Sequence, residues 1–349
     1  MNRNKKICVG VSGGVDSGTA LFILKNSGWE PVSVYTDFFC NENKNSAIYK
    51  YNEKAKKRAS QTSDMLNVPF KVFDYTQEFN KFVEKPFIEY YNIGITPNPC
   101  IWCNALIRFG ILMDEVKNMG IDYIATGHYA DIKDNKLFRA GDKTKDQSYF
   151  LYQVPRERFK RIVLPLSNKK KDEVIEIARK NGLPVKFDSE SQDFCLLLGH
   201  NLNTFLNKKL SVHPGKIIDE KGKIVGKHKG FQNYTIGQRR GLGGMGKKRY
   251  IIDIIPEKNT VVVGDEKDLY EQETGVNIKS DVFFAQQRDR LKVKLRSTQP
   301  MTDCTIKHLD KQKNTCRIVF DQPQKAPTPG QSAVFYRDEE VIGGGEISK

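Results

Sequence analysis

Lys6-Ile7-Cys8-Val9-Gly10-Val11-Ser12-Gly13-Gly14-Val15-Asp16-Ser17 is the stretch that decides the fold of this chain. Lys6–Val11 is a short apolar run of strand-forming residues, followed by a glycine-rich turn that opens a helix near Asp16. Glycines there let backbone N–H groups come close to an oxyanion, and the start of a helix adds a favourable dipole. Ser12 and Ser17 bring hydroxyls that can donate to phosphate oxygens. Asp16 is at odds with a bare phosphate cradle, because a carboxylate repels phosphate unless Mg²⁺ lies between them. The plainer reading is a tight turn with a capped helix. Strand, loop and helix start coincide here, so Gly10, Val11, Ser12, Gly13, Gly14, Val15, Asp16 and Ser17 are assigned to a bound nucleotide. The Gly-Lys-Ser/Thr ending of a Walker A loop is absent.

Strand and helix signals keep alternating outward from this loop. Pro31–Thr36, Pro69–Tyr75 and Ile121–Thr126 read as strands. Ser46–Leu66 reads as a surface helix, and Asn104–Asn118 as a helix ending at Gly120. This alternation predicts an α/β fold with a doubly wound parallel sheet. Its ligands belong at the carboxyl ends of the strands, which singles out Gly127 and His128 in Thr126-Gly127-His128-Tyr129-Ala130 as nucleotide or substrate contacts. The pattern changes near residue 200. From His213 onward, short alternating stretches between Gly, Pro, Asp and Asn predict small antiparallel sheets or barrels, with a break near Tyr270–Asn277.

Composition limits the function. The chain has 349 residues and a net charge of +15, and its lysines are spread along it with clusters at Lys169–Lys171 and Lys247–Arg249. A folded basic face of this kind favours a polyanion, since each neutralised phosphate releases counterions. No apolar run approaches membrane-spanning length and no secretory signal opens the chain, so no membrane partner and a cytoplasmic location are expected. Seven cysteines, an odd number in such a chain, argue against a disulfide framework. Cys8, Cys304 and Cys316 alternate with apolar residues and read as core. Cys100 and Cys103 instead form a C-x-x-C in the proline-stiffened loop Thr96-Pro97-Asn98-Pro99, and Cys195 follows Ser191-Gln192-Asp193-Phe194. With a helix starting at Asn104, Cys103 would have its thiolate stabilised by the helix dipole.

Ser12–Ser17 resembles the PP-loop of the ATP pyrophosphatases, which split ATP between its α and β phosphates and adenylate a substrate oxygen. The loop alone would equally suit an amidotransferase synthetase, a tRNA-lysidine synthetase or an argininosuccinate synthetase. The cysteines and several further stretches are similar to the tRNA-specific 2-thiouridylase family nearly end to end. Those stretches are Lys145-Asp146-Gln147-Ser148-Tyr149-Phe150-Leu151, Tyr234 to Gly243, Pro323-Gln324-Lys325-Ala326, Pro329 to Tyr336, and Gly343-Gly344-Gly345.

That resemblance implies a PP-loop domain at 1–200, a central RNA-binding domain at 201–275 and a C-terminal antiparallel β-barrel at 276–349. It implies ATP with Mg²⁺, and thiolation of the wobble uridine of tRNA, with Glu, Gln and Lys isoacceptors expected as partners. Cys103 and Cys195 would be catalytic, with Cys195 carrying a persulfide and Cys103 releasing the sulfur through a transient disulfide. The donor would be a cysteine desulfurase, a sulfur relay protein or inorganic sulfide. Cys100 stands where the family usually has aspartate. Cys100, Cys103 and Cys195 together also make the ligand set of a [4Fe–4S] cluster with one open iron. Lys145, Asp146, Gln147, Tyr234, Gln238, Arg239 and Arg240 are the RNA-binding candidates. Tyr51–Lys56 is more basic than the family's usual acidic helix, which leaves room for another target, a ribosomal RNA or a cytidine. A non-catalytic RNA-binding module would not need Asp16, Cys103 and Cys195 together.

Overall fold

The computed structural model describes residues 5–187, 195–197, 201–242 and 248–348. Ser191 to Phe194, Gly243 and Lys247 of the stretches above lie outside the described residues. The chain divides into two compact units: Met1–Val83 with Cys100–Gly199 and Glu339–Val341, and Glu84–Pro99 with His200–Asp338 and Ile342–Lys349. Among the described residues no helix is long and apolar enough to cross a membrane.

The first unit is built on β1 (Lys6–Gly10), β2 (Glu30–Asp37), β3 (Phe70–Asp74) and β4 (Tyr123–Ala125); the hairpin β5 (Ala130–Lys133) and β6 (Lys136–Arg139) then leads to β7 (Ile162–Val163). The sheet runs β3-β2-β1-β4-β7 and every neighbouring pair is parallel. Ile7, Cys8 and Val9 of β1 are fully buried, as a central strand covered on both faces requires. The helix α1 (Val15–Asn26) follows β1, and α2 (Ala47–Met65) follows β2 with its Ser46 hydroxyl capping the Tyr49 amide. Ile7, Val9, Leu21 and Leu24 pack against Ala55 and Ala59 of α2, while Val15 and Ala20 pack on a second cluster with Tyr129, Leu166 and Val174. Burying each such large aliphatic side chain contributes roughly 1.5–3 kcal/mol. The chain steps outward from β1 to β2 and β3, then returns to the other side of β1. That reversal opens a crevice at the carboxyl ends of β1 and β4.

In the second unit β8 (Gly215–Asp219), β9 (Ile224–His228), β10 (Tyr250–Ile255) and β11 (Thr260–Gly264) form a sheet of order β10-β11-β8-β9 around Ile217, Ile251, Ile254, Val261 and Val263. Beyond it lie β12 (Tyr270–Ile278), β13 (Arg290–Lys294), β14 (Thr302–Asp310), β15 (Thr315–Lys325), β16 (Ser332–Arg337) and β17 (Glu340–Ser348). They run β12-β15-β14-β13-β16-β17, and β12 pairs back to β17 to close an antiparallel barrel. Cys304 and Cys316 are core residues of this barrel.

Two expectations are corrected. The division expected near Tyr270–Asn277 falls where the β10-β11-β8-β9 sheet gives way to the barrel, but the stretch is itself most of β12, whose Val276 is buried while Glu271 and Gln272 face solvent. Closure pairs this polar strand on both sides, so backbone bonds compensate for its weak apolar pattern. The helix expected to start at Asn104 starts earlier, as Pro99–Trp102, becomes a π-helix over Cys103–Ile111 and ends as Leu112–Asn118. Pro99 has no N–H to waste at a first helical position, which favours the earlier start.

Candidate active site

Gly13 has φ +73°, and a Cβ on it would lie 2.4 Å from the Ala55 carbonyl oxygen. Gly127, just after β4, packs on the same loop so tightly that a Cβ would lie 2.7 Å from the Asp16 carbonyl carbon. Val15 N–H donates to Lys186 O, and Lys186 N–H to Gly13 O, each at 3.1 Å. Arg58 Nε donates to the same Gly13 carbonyl at 3.1 Å. Inside the loop, Ser12 N–H donates to Ser17 Oγ at 3.0 Å, and Ser17 Oγ donates to Gly14 O at 3.1 Å. The Ser12 side chain stays exposed at the mouth of the loop. Gly13→Ala is expected to destabilise the protein by about 1–3 kcal/mol, because it forces both positive φ and a backbone clash. Chemical denaturation measures this, and an unchanged midpoint would contradict it.

Asp16, expected to meet phosphate through Mg²⁺, is held between two side chains. Lys171 Nζ lies 2.6 Å from both carboxylate oxygens, and the Tyr129 hydroxyl donates at 2.7 Å. Burial, then the Asp16 charge, raises the Tyr129 pKa, so the phenol remains a donor. Lys171 opens the helix Lys171–Lys180, where a cation opposes the helix dipole. In the sequence Lys171 stands out only as part of the lysine cluster Lys169–Lys171. Its place at the unfavourable end of a helix was the available signal for a specific partner. Lys56 is likewise committed inward: its Nζ lies 2.9 Å from the buried carboxylate of Asp37, which also accepts from Asn52 Nδ2 at 2.9 Å. The basic character of Tyr51–Lys56 thus has an internal use.

The second cluster is sulfur. The structure puts Cys103 within a helical run and Cys100 in its first turn, so the helix start favours Cys100 rather than Cys103. The expected low thiol pKa of Cys103 is corrected as well. Burial raises it, opposed by the charge and hydrogen bond of the Arg108 guanidinium. Cys100 is pushed up to about 12 by burial and by Cys103, and Cys195 is raised by burial, Cys103 and Cys100. The three thiols therefore share one neighbourhood, with Arg108 lowering the pKa of each. Arg108 went unnoticed in the sequence because five residues in an α-helix lie about 140° apart around the axis. The π-turn, bonded i to i+5, brings Arg108 back beside Cys103. Gly110 serves this turn: a Cβ there would lie 2.9 Å from the Ala105 carbonyl oxygen. All seven cysteines are free thiols.

His128 accompanies this cluster. Burial, then the Arg108 charge, lowers its pKa to about 3, and its Nδ1 is 2.8 Å from Thr126 Oγ1. It is a neutral imidazole at any physiological pH. Of the RNA-binding candidates, Asp146 is buried and accepts from Arg139 Nε, Ala140 N and Ser148 N, and Gln147 Oε1 accepts from Tyr129 N at 2.9 Å. These two side chains brace the fold. Lys145 is half-buried. Gln238 closes its own turn through Thr235 N and Arg240 O, and Tyr234 lies 3.5 Å from Gly241 O. Arg239 and Arg240 are exposed.

Among known proteins, a family model described as tRNA methyl transferase HUP domain matches residues 5–199. The companion PRC-barrel domain model matches residues 203–265, and an aminomethyltransferase beta-barrel domain model matches residues 274–347. A 4-thiouridine synthetase solved with RNA and bound ATP covers 52% of this chain and 41% of its own at 17% identity and a TM-score of 0.34, too slight a likeness to bear on mechanism. The tRNA-specific 2-thiouridylase MnmA 1 of Clostridium tetani is 39% identical over 98% of this chain and 96% of its own. The tRNA-specific 2-thiouridylase MnmA of Acetivibrio thermocellus is 38% identical over 98% and 99%. Identity at this level across nearly the whole of both partners means that the chain belongs to the tRNA-specific 2-thiouridylase family.

Proposed function

We propose that this protein uses ATP to replace the C2 oxygen of a uridine, the wobble uridine of tRNA, with sulfur. The observation that carries the reading is the gathering of Cys100, Cys103 and Cys195 around Arg108 in the same unit as the nucleotide loop. Ser12–Ser17 would bind ATP, and the uridine oxygen would attack its α-phosphorus with loss of pyrophosphate. Mg²⁺ fits this site, since it takes one or two carboxylates and completes its shell with phosphate oxygens and water. Asp16, its side chain 34% exposed, would hold it against the phosphates.

The terminal sulfur of a persulfide on Cys195 would then attack C2, and AMP would leave with the old oxygen. Attack of the Cys103 thiolate on the Cys195 sulfur releases the thiouridine and leaves a Cys103–Cys195 disulfide, which a thiol reductant returns to two thiols. The Arg108 guanidinium would hold charge on Cys103 for that attack. Lys145, Tyr234, Gln238, Arg239 and Arg240 would contact RNA. The isoacceptors would be those for Glu, Gln and Lys; a cysteine desulfurase or a relay protein, each already carrying persulfide sulfur, would hand it to the Cys195 thiolate in exchange for its own thiol, whereas inorganic sulfide would serve only a cluster route.

A second reading places a [4Fe–4S] cluster on the three cysteines. Its support is that all three thiols are raised together, an environment that binding to iron would relieve. Against it, no group of three His, Cys, Asp or Glu stands at metal-holding spacing among the described residues, and Cys103 is engaged by Arg108. The residues as they stand do not fit the cluster. Mass spectrometry of nucleosides from a deletion strain should show loss of 2-thiouridine from tRNA; its persistence, with loss of a thionucleoside from ribosomal RNA, would move the target. Protein purified without oxygen should be colourless and active. Iron near the cluster's four per chain, lost in Cys100→Ala, would establish the cluster instead.

A further inference from the structure

The turn between β15 and β16 of the barrel, Pro329-Gly330-Gln331, is fixed to β17: Gly330 N–H donates to Ile347 O at 3.0 Å, and Ile347 N–H donates to Gln331 O at 2.8 Å. On its other side the same turn grips Ile95–Pro97. Thr96 N–H donates to Pro329 O at 3.2 Å, and Gln331 Nε2 donates to the carbonyls of Thr96 at 3.0 Å and Pro97 at 3.3 Å. Gly330 has φ +86°, and a Cβ there would lie 2.2 Å from Ile95 Cγ2 and 2.9 Å from Thr96 O. One helical turn earlier, the Tyr90 hydroxyl lies 3.1 and 3.0 Å from the two oxygens of Glu346. All these contacts lie within the second unit.

The gripped segment leads straight into the helical run that bears the sulfur chemistry. Thr96-Pro97-Asn98-Pro99 has two prolines with fixed φ, so it behaves as a stiff strut rather than a hinge. Whatever fixes the carbonyls of Thr96 and Pro97 fixes where the helix at Pro99 begins, and Pro99 is the first residue of the run that continues along the chain into Cys100 and Cys103.

We propose that Gln331, assisted by Gly330, is a positioning residue for sulfur transfer: the barrel holds the base of the cysteine-bearing helix through the Thr96 and Pro97 carbonyls. The proposal rests on the thiolation reading only for its kinetic arm. Gln331→Glu keeps the shape and replaces two donated hydrogen bonds by oxygens facing oxygens. In the full-length protein, hydrogen–deuterium exchange of the Thr96 amide should quicken about tenfold while the thermal transition stays in place. In single turnovers with tRNA, pyrophosphate release should hold at the wild-type rate while thiouridine appears about tenfold more slowly at unchanged KM for tRNA. Gly330→Ala should act in the same direction and more strongly. Unchanged exchange in both variants, or equal loss of pyrophosphate release and thiolation, would overturn the proposal. If the wild-type protein neither releases pyrophosphate with tRNA nor makes thiouridine, the functional reading falls, and the exchange measurement still judges the clamp.

Discussion

Cys103→Ala and Cys195→Ala are each expected to lower thiouridine formation on the order of a thousandfold or more while tRNA binding stays within about twofold. In the proposed route Cys195 carries the sulfur and Cys103 releases it, and alanine offers no nucleophile for either step. The loss should not come from misfolding. Cys103 lies in a helix and Cys195 is half-buried, so removing one sulfur atom leaves the strand and helix framework intact. Nucleoside mass spectrometry and filter binding on the same preparations separate the two effects. A Cys195→Ala protein that still thiolates would remove the sulfur-transfer assignment. Cys100→Ala is the informative third variant. A persulfide route predicts a modest loss, whereas a cluster route predicts complete loss together with iron.

The second large effect concerns the pair at the nucleotide loop. Asp16→Asn is expected to lower pyrophosphate release by about 10²–10⁴-fold, and Lys171→Met by about 10²-fold. In the resting site Lys171 neutralises Asp16. In the proposed mechanism ATP and its metal would engage Asp16, and the lysine would be freed to face the phosphates. Neither variant should unfold the protein. The pair's side chains are 18% and 34% exposed, and solvent screening holds the stabilisation it provides to about 1 kcal/mol. Single-turnover pyrophosphate release, with circular dichroism as the control for folding, measures both. A Lys171→Met protein at the wild-type rate would reduce the lysine to a structural counter-ion.

Sequence and structure agree where the signal is local. Lys6–Ser17 carries strand, turn and helix start within one stretch, and the parallel sheet around β1 follows from it. The signal fails where partners are far apart along the chain. Asp16 and Lys171 are separated by 155 positions, and Tyr129 meets Asp16 across 113. Nothing in the spacing of Lys171 announces this partner. Polarity misled at Asp146, whose buried carboxylate accepts from Ala140 N and Ser148 N, while the half-buried Gln147 commits its side-chain oxygen to Tyr129 N. It misled again at β12, where barrel closure supplies what the residues lack in apolar pattern. Arg108 was hidden by pitch: helical counting assumes an α-turn, and this helix is wound wider just where Cys103 begins it.

That wider winding bears on how the stretch tolerates changes of length. Five residues apart in a π-turn, Cys103 and Arg108 keep a neighbourhood that an ordinary α-helix gives to residues four apart. Removing one residue between them is thus a deletion the helix can absorb, since the shortened chain can return to α pitch with thiol and guanidinium still together. Returning to α pitch at full length would instead carry Arg108 about 140° around the axis and away from the sulfur. Homologues one residue shorter at this point can therefore preserve the same contact, and a search for it should allow either spacing.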